Sequence, residues 1–169
     1  MHRIVCFIDL IVIYLTSQLI INHQNMAKIS SGVKFFINLG KTQTILANRF
    51  DKGLGGLGFN EFLILFHLEQ ADKKQMRRVD LAEKIGMTAS GVTRLLLPME
   101  KVHLLKSGPI ADDARARFVT ATPAGKQKFT EALERLEFLA EDIIPASKMK
   151  ELNVLSDLLV GVGGKALMM

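Results

Sequence analysis

Residues 79–105, VDLAEKIGMTASGVTRLLLPMEKVHLL, and residues 112–125, DDARARFVTATPAG, decide the fold. In the first stretch, Asp80-Leu81-Ala82-Glu83 reads as a capping box: Asp80 accepts from the amide three residues on, and Glu83 reaches back. The short helix it opens stops at Gly86, where glycine can take the left-handed conformation past a helix end. Thr88 then caps a second helix, with Val92, Leu95, Leu96 and Met99 on its inner side. Leu81, Ala82 and Ile85 are expected to meet Val92 and Leu95, which is the helix-turn-helix pattern. In that motif the second helix enters the major groove of a duplex. Small Ala89, Ser90 and Gly91 at its start allow close approach, and Thr93 and Arg94 project one turn further. Only Arg94 is basic between Thr88 and Glu100, and Pro98 removes an amide, which predicts a bend there.

The second stretch adds a β-hairpin. Leu104–Ser107 is expected as one strand, Gly108-Pro109 as the start of a turn, and Asp112, Asp113 and Arg115 as a charged tip. Arg117–Ala121 returns as the partner strand, and a hairpin directly after a helix-turn-helix is a wing. Thr122-Pro123 then supplies an N-cap followed by proline at the first helical position. The helix it opens runs to about Ile143, with Phe129, Leu133, Leu136 and Ala140 on one stripe and Pro145 closing it. A last helix covers about 147–159, before Gly161, Gly163 and Gly164 loosen the tail.

On the N-terminal side, Ile29, Val33, Phe36, Gly40, Thr44 and Ala47 recur at three- and four-residue steps, which predicts a helix over 29–50. Gly53, Gly55, Gly56 and Gly58 follow, with no strand before them and no basic or hydroxyl residue at phosphate-loop spacing after them. They read as a turn leading into a helix over 60–71. Arg77–Val79 is a short β-capable triplet.

The chain has 169 residues, 49% apolar and 23% charged, enough for one ordinary core. A single cysteine, Cys6, excludes an intrachain disulfide framework and any multi-cysteine metal site. The four histidines are scattered, with no pair at helical ligand spacing, so neither a metal nor another cofactor is expected. Net charge is +5, unevenly spread: residues 73–128 hold 12 Lys/Arg against 5 Asp/Glu, leaving −2 for the rest. A basic middle on a near-neutral scaffold suits a polyanion, although charge alone also fits a lysine-rich solvated surface.

The first 25 residues differ from the rest. The apolar run IVCFIDLIVIYLTSQLII at 4–21 holds Asp9, Thr16, Ser17 and Gln18, and no small-residue cleavage site follows it. Three readings stand: a start upstream of a true first residue at Met26, which is preferred, an added helix, and a membrane anchor. With the first preferred, no membrane partner is expected and the protein is expected in the cytoplasm.

The order of elements and the wing string resemble the MarR family of winged-helix transcription regulators. Asp113, Arg115, Val119, Thr122 and Gly125 stand in the places of that family's wing pattern, Asp-x-Arg, a short strand, then Thr-x-x-Gly opening a long helix. Thr88, Val92, Thr93, Arg94, Leu95, Met99 and Glu100 match its helix-turn-helix core, and the likeness covers about 29–159. His103 stands where the family often has glycine, Ala121 where it usually has leucine, and Pro98 interrupts the reading helix. A left-handed His103 would be mildly strained.

The resemblance implies a mainly α fold with a small β-wing, a winged helix-turn-helix flanked by N- and C-terminal dimerisation helices. The expected parts are an extension over 1–25, a dimerisation helix and turn over 26–58, a DNA-binding region over 59–122, and C-terminal dimerisation helices with a tail over 123–169. Residues 129–159, with 7 acidic against 3 basic residues, suit a dimer body held away from phosphates.

The activity implied is a homodimeric regulator of transcription, a repressor on double-stranded DNA with a pseudo-palindromic operator. Thr88, Ser90, Thr93 and Arg94 would meet the major groove, Arg115 fixed by Asp113 the minor groove, and Lys84, Lys106 and Arg117 the phosphates. Family members are often released by small, frequently phenolic ligands; Phe35, Phe36, Phe62 and Phe66 are the candidate crevice here, or simply core. The alternative function is a winged-helix module that binds protein and not DNA. No nucleophile–base or carboxylate pair stands out, and an enzyme is not expected.

Overall fold

The computed structural model describes residues 29–110 and 113–167, and of 109–110, 113–117 and 165–167 it describes the backbone only. The expectations for residues 1–25 and for Asp112 lie outside the described residues. The chain divides into two units after Leu46, within its first described helix, α1 (Ser31–Gly53). In the first unit, Ser30 Oγ accepts the Val33 amide at 3.3 Å, a helix-opening contact, and Thr44 Oγ1 bonds the Gly40 carbonyl. Val33, Phe36, Ile37 and Ile45 are exposed there, and the Phe35 and Phe36 rings meet edge to face.

The second unit begins with the end of α1 and continues through α2 (Phe59–Gln70), β1 (Gln75–Arg77), α3 (Arg78–Lys84), α4 (Ala89–Lys101), β2 (Leu105–Ile110), β3 (Asp113–Ala121), α5 (Pro123–Ile143), a 3-10 turn at Ala146–Lys148 and α6 (Met149–Leu167). The fold is mostly helical with one small antiparallel sheet of strand order β1-β3-β2. Met76 pairs with Val119 on one side of β3, and Ser107 with Val119 on the other. This is the winged helix-turn-helix that the sequence predicts.

Leu65, Leu68, Leu81, Val92, Leu96 and Val119 are wholly buried in one core, with Ile85 and Leu95 partly buried against it. Burying each such side chain stabilises the fold by about 1.5–3 kcal/mol. The glycine-rich segment is a turn, with Gly55 and Gly56 at φ 68° and 87°. Its exit is capped twice: Glu61 Oε2 accepts the Gly58 amide at 2.9 Å, and Asp51 Oδ1 accepts the Phe59 amide at 2.7 Å.

Three local expectations are corrected. Helix α3 starts at Arg78, so Asp80 lies inside its first turn and is no N-cap; its carboxylate takes the Arg77 guanidinium at 2.7 and 2.8 Å instead. Gly108-Pro109 lies within β2 and opens no turn. Strand β2 lies at the sheet edge, paired only with β3, where a proline without an amide costs no ladder bond on the open side. Finally, α6 runs through Gly161, Gly163 and Gly164 to Leu167. Each glycine costs a helix about 1 kcal/mol, and no proline in the segment forces a stop.

The joint between wing and α5 is tight. The Thr122 amide bonds the Leu104 carbonyl at 3.0 Å, its hydroxyl donates to the His103 carbonyl at 2.6 Å, and that same oxygen caps α5 by accepting the Gly125 amide at 3.0 Å. Gly125 is buried, and a Cβ there would overlap the Leu104 carbonyl oxygen, a backbone atom that cannot swing aside. Gly125→Ala is therefore expected to destabilise the protein by about 1–3 kcal/mol in urea unfolding. Gly161→Ala, where an added Cβ meets nothing within 4 Å, is expected to be neutral or stabilising.

Candidate nucleic-acid interface

The second helix of the helix-turn-helix is α4, and its two ends are built by chain chemistry visible in the sequence. At its start Thr88 Oγ1 accepts the Gly91 amide at 3.1 Å, as expected of an N-cap, and lies 3.2 Å from Ser90 Oγ. The turn before it is closed by Gly86 at φ 66°: the Met87 amide bonds the Ala82 carbonyl and the Gly86 amide that of Glu83. The same paired bonding recurs at the far end of α4, where the Leu104 amide reaches Met99 and that of His103 reaches Glu100. His103 takes φ 60° there, the left-handed conformation foreseen for it, at a cost of about 1–2 kcal/mol relative to glycine. Helix α4 is continuous through Pro98, with the Val102 amide bonded to the Pro98 carbonyl.

The expected contact residues are differently placed. Thr88, Ser90, Arg94 and Lys84 are exposed on the helix-turn-helix, and Lys106 is exposed on β2. Among the described residues neither Lys84, Arg94 nor Lys106 forms an ion pair. Thr93 is half-buried, and its hydroxyl donates to the Ala89 carbonyl at 2.9 Å. Asp113, Arg115 and Arg117 lie on β3, Arg117 opposite Pro109; their side chains lie outside the described residues. Phe62 is 4% exposed and stacks on Phe129 at 5.4 Å and on Phe66 at 6.4 Å, so it belongs to the aromatic core. Phe66 is half-buried beside it, and Phe35 and Phe36 belong to the first unit.

Sequence reasoning missed a polar cluster behind α4. Arg78 Nη2 donates to Glu100 Oε1 at 3.4 Å and to Ser107 Oγ at 3.3 Å, and Ser107 donates to the same Glu100 oxygen. These residues stand 22 and 29 positions apart, so no local spacing signals them.

Two titrating groups are shifted for plain reasons. The Arg77 guanidinium, bonded to the Asp80 carboxylate, holds that carboxyl below its ordinary range. Burial, and secondarily the charge of Lys84, lowers His67 below its ordinary 6.5.

No family model and no curated protein matches this sequence. Solved structures do match it in fold. The transcriptional regulator BldR from Sulfolobus solfataricus has a TM-score of 0.65 at 24% identity, over 79% of this chain and 97% of that one. Sco3205, a MarR family transcriptional regulator from Streptomyces coelicolor in complex with DNA, gives 0.64 at 16% identity, over 78% and 88%. The organohalide-sensing regulator RdhR-CbdbA1625, bound to 2,4-dichlorophenol, gives 0.73 at 17% identity, over 84% and 85%. The chain is thus a winged helix-turn-helix protein. Its fold is the one found in MarR family transcriptional regulators. No helix among the described residues is long and apolar enough to cross a membrane.

Two outcomes are expected from this geometry. Thr88→Ala removes the cap of α4 and should cost about 0.5–2 kcal/mol in urea unfolding, while Thr88→Ser should retain most of it. For His67, a folded-state pKa below the unfolded one leaves the stability whole above the unfolded value and reduces it as pH falls through 6.5 toward the folded pKa. Between about pH 7.5 and about pH 5.5 the wild type should therefore lose more stability than His67→Gln. Parallel pH profiles for the two proteins would contradict this.

Proposed function

We propose that the chain is a homodimeric, cytoplasmic, sequence-specific reader of double-stranded DNA that regulates transcription, acting as a repressor relieved by a small aromatic ligand. The observation that carries the reading is the exposed start of α4, where Thr88, Ser90 and Arg94 stand on the basic segment 73–128. In that role Thr88, Ser90, Thr93 and Arg94 contact major-groove edges and nearby phosphates. Arg115, fixed by Asp113, reads the minor groove, and Lys84, Lys106 and Arg117 hold phosphates. The DNA complex of Sco3205, a protein of the same fold, supports this use of the motif.

Dimerisation is supported by apolar surface that solvent does not favour. Phe138 is 71% exposed on α5, and Val154 and Val160 are 70% and 76% exposed on α6. The acidic character of 129–159 keeps that surface away from phosphates. The division into an extension, two dimerisation segments and a central reading region, at 1–25, 26–58, 59–122 and 123–169, is part of the same proposal. An aromatic effector is supported by the dichlorophenol complex of RdhR-CbdbA1625, and its proposed seat in the second unit is the half-buried Phe66, backed by the core ring of Phe62. Phe35 and Phe36 are retained as further effector-binding candidates. The proposal includes no catalytic role.

The test is selection of bound duplexes from a random pool by the full chain at two salt concentrations. A symmetric motif with half-sites about 10 bp apart, held less well at high salt, is expected. Equal retention of all duplexes or of none would overturn the reading in favour of a protein-binding module. On the selected site, Arg94→Ala or Arg115→Ala should each cost about 1–3 kcal/mol of specific affinity. Lys106→Ala should weaken all sequences alike and reduce the salt slope by about 1.

A further inference from the structure

We infer that Arg78, Glu100 and Ser107 form a positioning lock that fixes the wing against the reading helix, and so sets the spacing between major- and minor-groove contacts. The DNA part of this inference rests on the proposed function. The three residues come from three elements: Arg78 opens α3, Glu100 lies in the last turn of α4, and Ser107 lies on β2. One Glu100 oxygen receives both the Arg78 guanidinium, at 3.4 Å, and the Ser107 hydroxyl, while Arg78 also reaches Ser107 at 3.3 Å.

Glu100 is poorly suited to its own helix. The C-terminal end of a helix carries the negative end of the macrodipole, and a carboxylate there is repelled. What offsets that repulsion is the pair of bonds Glu100 accepts from Arg78 and Ser107 across the fold. The Arg78 and Glu100 side chains are each 25% exposed, unlike the Arg49–Asp142 and Lys148–Glu151 pairs, whose partners are all more than half exposed. Partial withdrawal from water strengthens the triangle and makes the loss of one partner costly to the others. The chain between Glu100 and Ser107 contains the strained turn at His103, so a side-chain tie across that turn restrains the angle at which β2 leaves α4.

Amide hydrogen exchange on the full chain tests the lock without DNA. Glu100→Ala should speed exchange in residues 105–108 and 118–121 by about ten-fold or more, with α2 and α5 unchanged. Ser107→Ala should give a smaller, similarly localised rise, and Glu100→Gln, which keeps an acceptor for Ser107, should retain most of the protection. On the duplex selected by the wild type, Glu100→Ala should lose about five-fold or more of the sequence preference at positions read by the wing while keeping that read by α4. Exchange rising equally throughout the second unit in both Glu100→Ala and Ser107→Ala, or rising nowhere, overturns the lock. A localised exchange response with unchanged preferences overturns its role in reading. If the wild type selects no duplex, the proposed function fails, and the exchange result alone decides whether the lock exists.

Discussion

The backbone carbonyl of Leu104 is the point on which the arrangement of the helix-turn-helix and the wing depends. It lies just past the left-handed His103, accepts the Thr122 amide, and sits so close to Gly125 that no side chain fits between. Three elements converge there: α4 ends, β2 begins and α5 starts. A glycine at the start of α5 is demanded by that approach and not by a turn, and the threonine three residues before it closes both the wing and the helix.

Around the joint, polar and apolar residues divide the work. Val92, Leu96 and Met99 bury the inner face of α4, which leaves Ser90 and Arg94 to project outward at its start. Behind α4, Arg78 and Glu100 join α3 to α4 and both bond Ser107 of β2, and Arg77 with Asp80 ties the first turn of α3 to the end of β1. Lys84, Arg94 and Lys106 are exposed and, like Lys73 and Lys101, form no ion pair among the described residues. Exposed apolar side chains recur along α5 and α6, at Phe138, Ile143, Val154, Leu158 and Val160, and also at Leu97 and Val102 in and just after α4.

What was legible in the sequence was chiefly what local chemistry dictates. Thr88, Gly86 and Thr122-Pro123 mark helix ends by hydrogen bonds made within a few residues, and all of them perform that task. The helical stripe through Val92, Leu96 and Met99 likewise gives core positions directly. Asp80 misled because an acid near a helix start can be a cap or an ion-pair partner, and Arg77 beside it decided the matter. Pro109 misled because its tolerance depends on β2 being an edge strand, a fact of sheet order that no short window contains. The Arg78–Glu100–Ser107 triangle was illegible for the same reason, since only the folded chain brings its members together. Of the residues expected to meet DNA, Thr88, Ser90 and Arg94 are exposed at the start of α4, but the sequence could not show that Thr93 spends its hydroxyl proton on its own helix.

The central claim is that the start of α4 lies against the bases of a duplex, and photocrosslinking tests it most directly. A photoreactive side chain would be introduced at Ser90, exposed at the start of α4, and separately at Glu151, exposed on α6. Irradiation with the selected duplex should crosslink the Ser90 probe to bases inside the site, symmetrically in both half-sites, and leave the Glu151 probe unattached. Equal crosslinking from both positions, or attachment from Glu151 alone, would contradict the account.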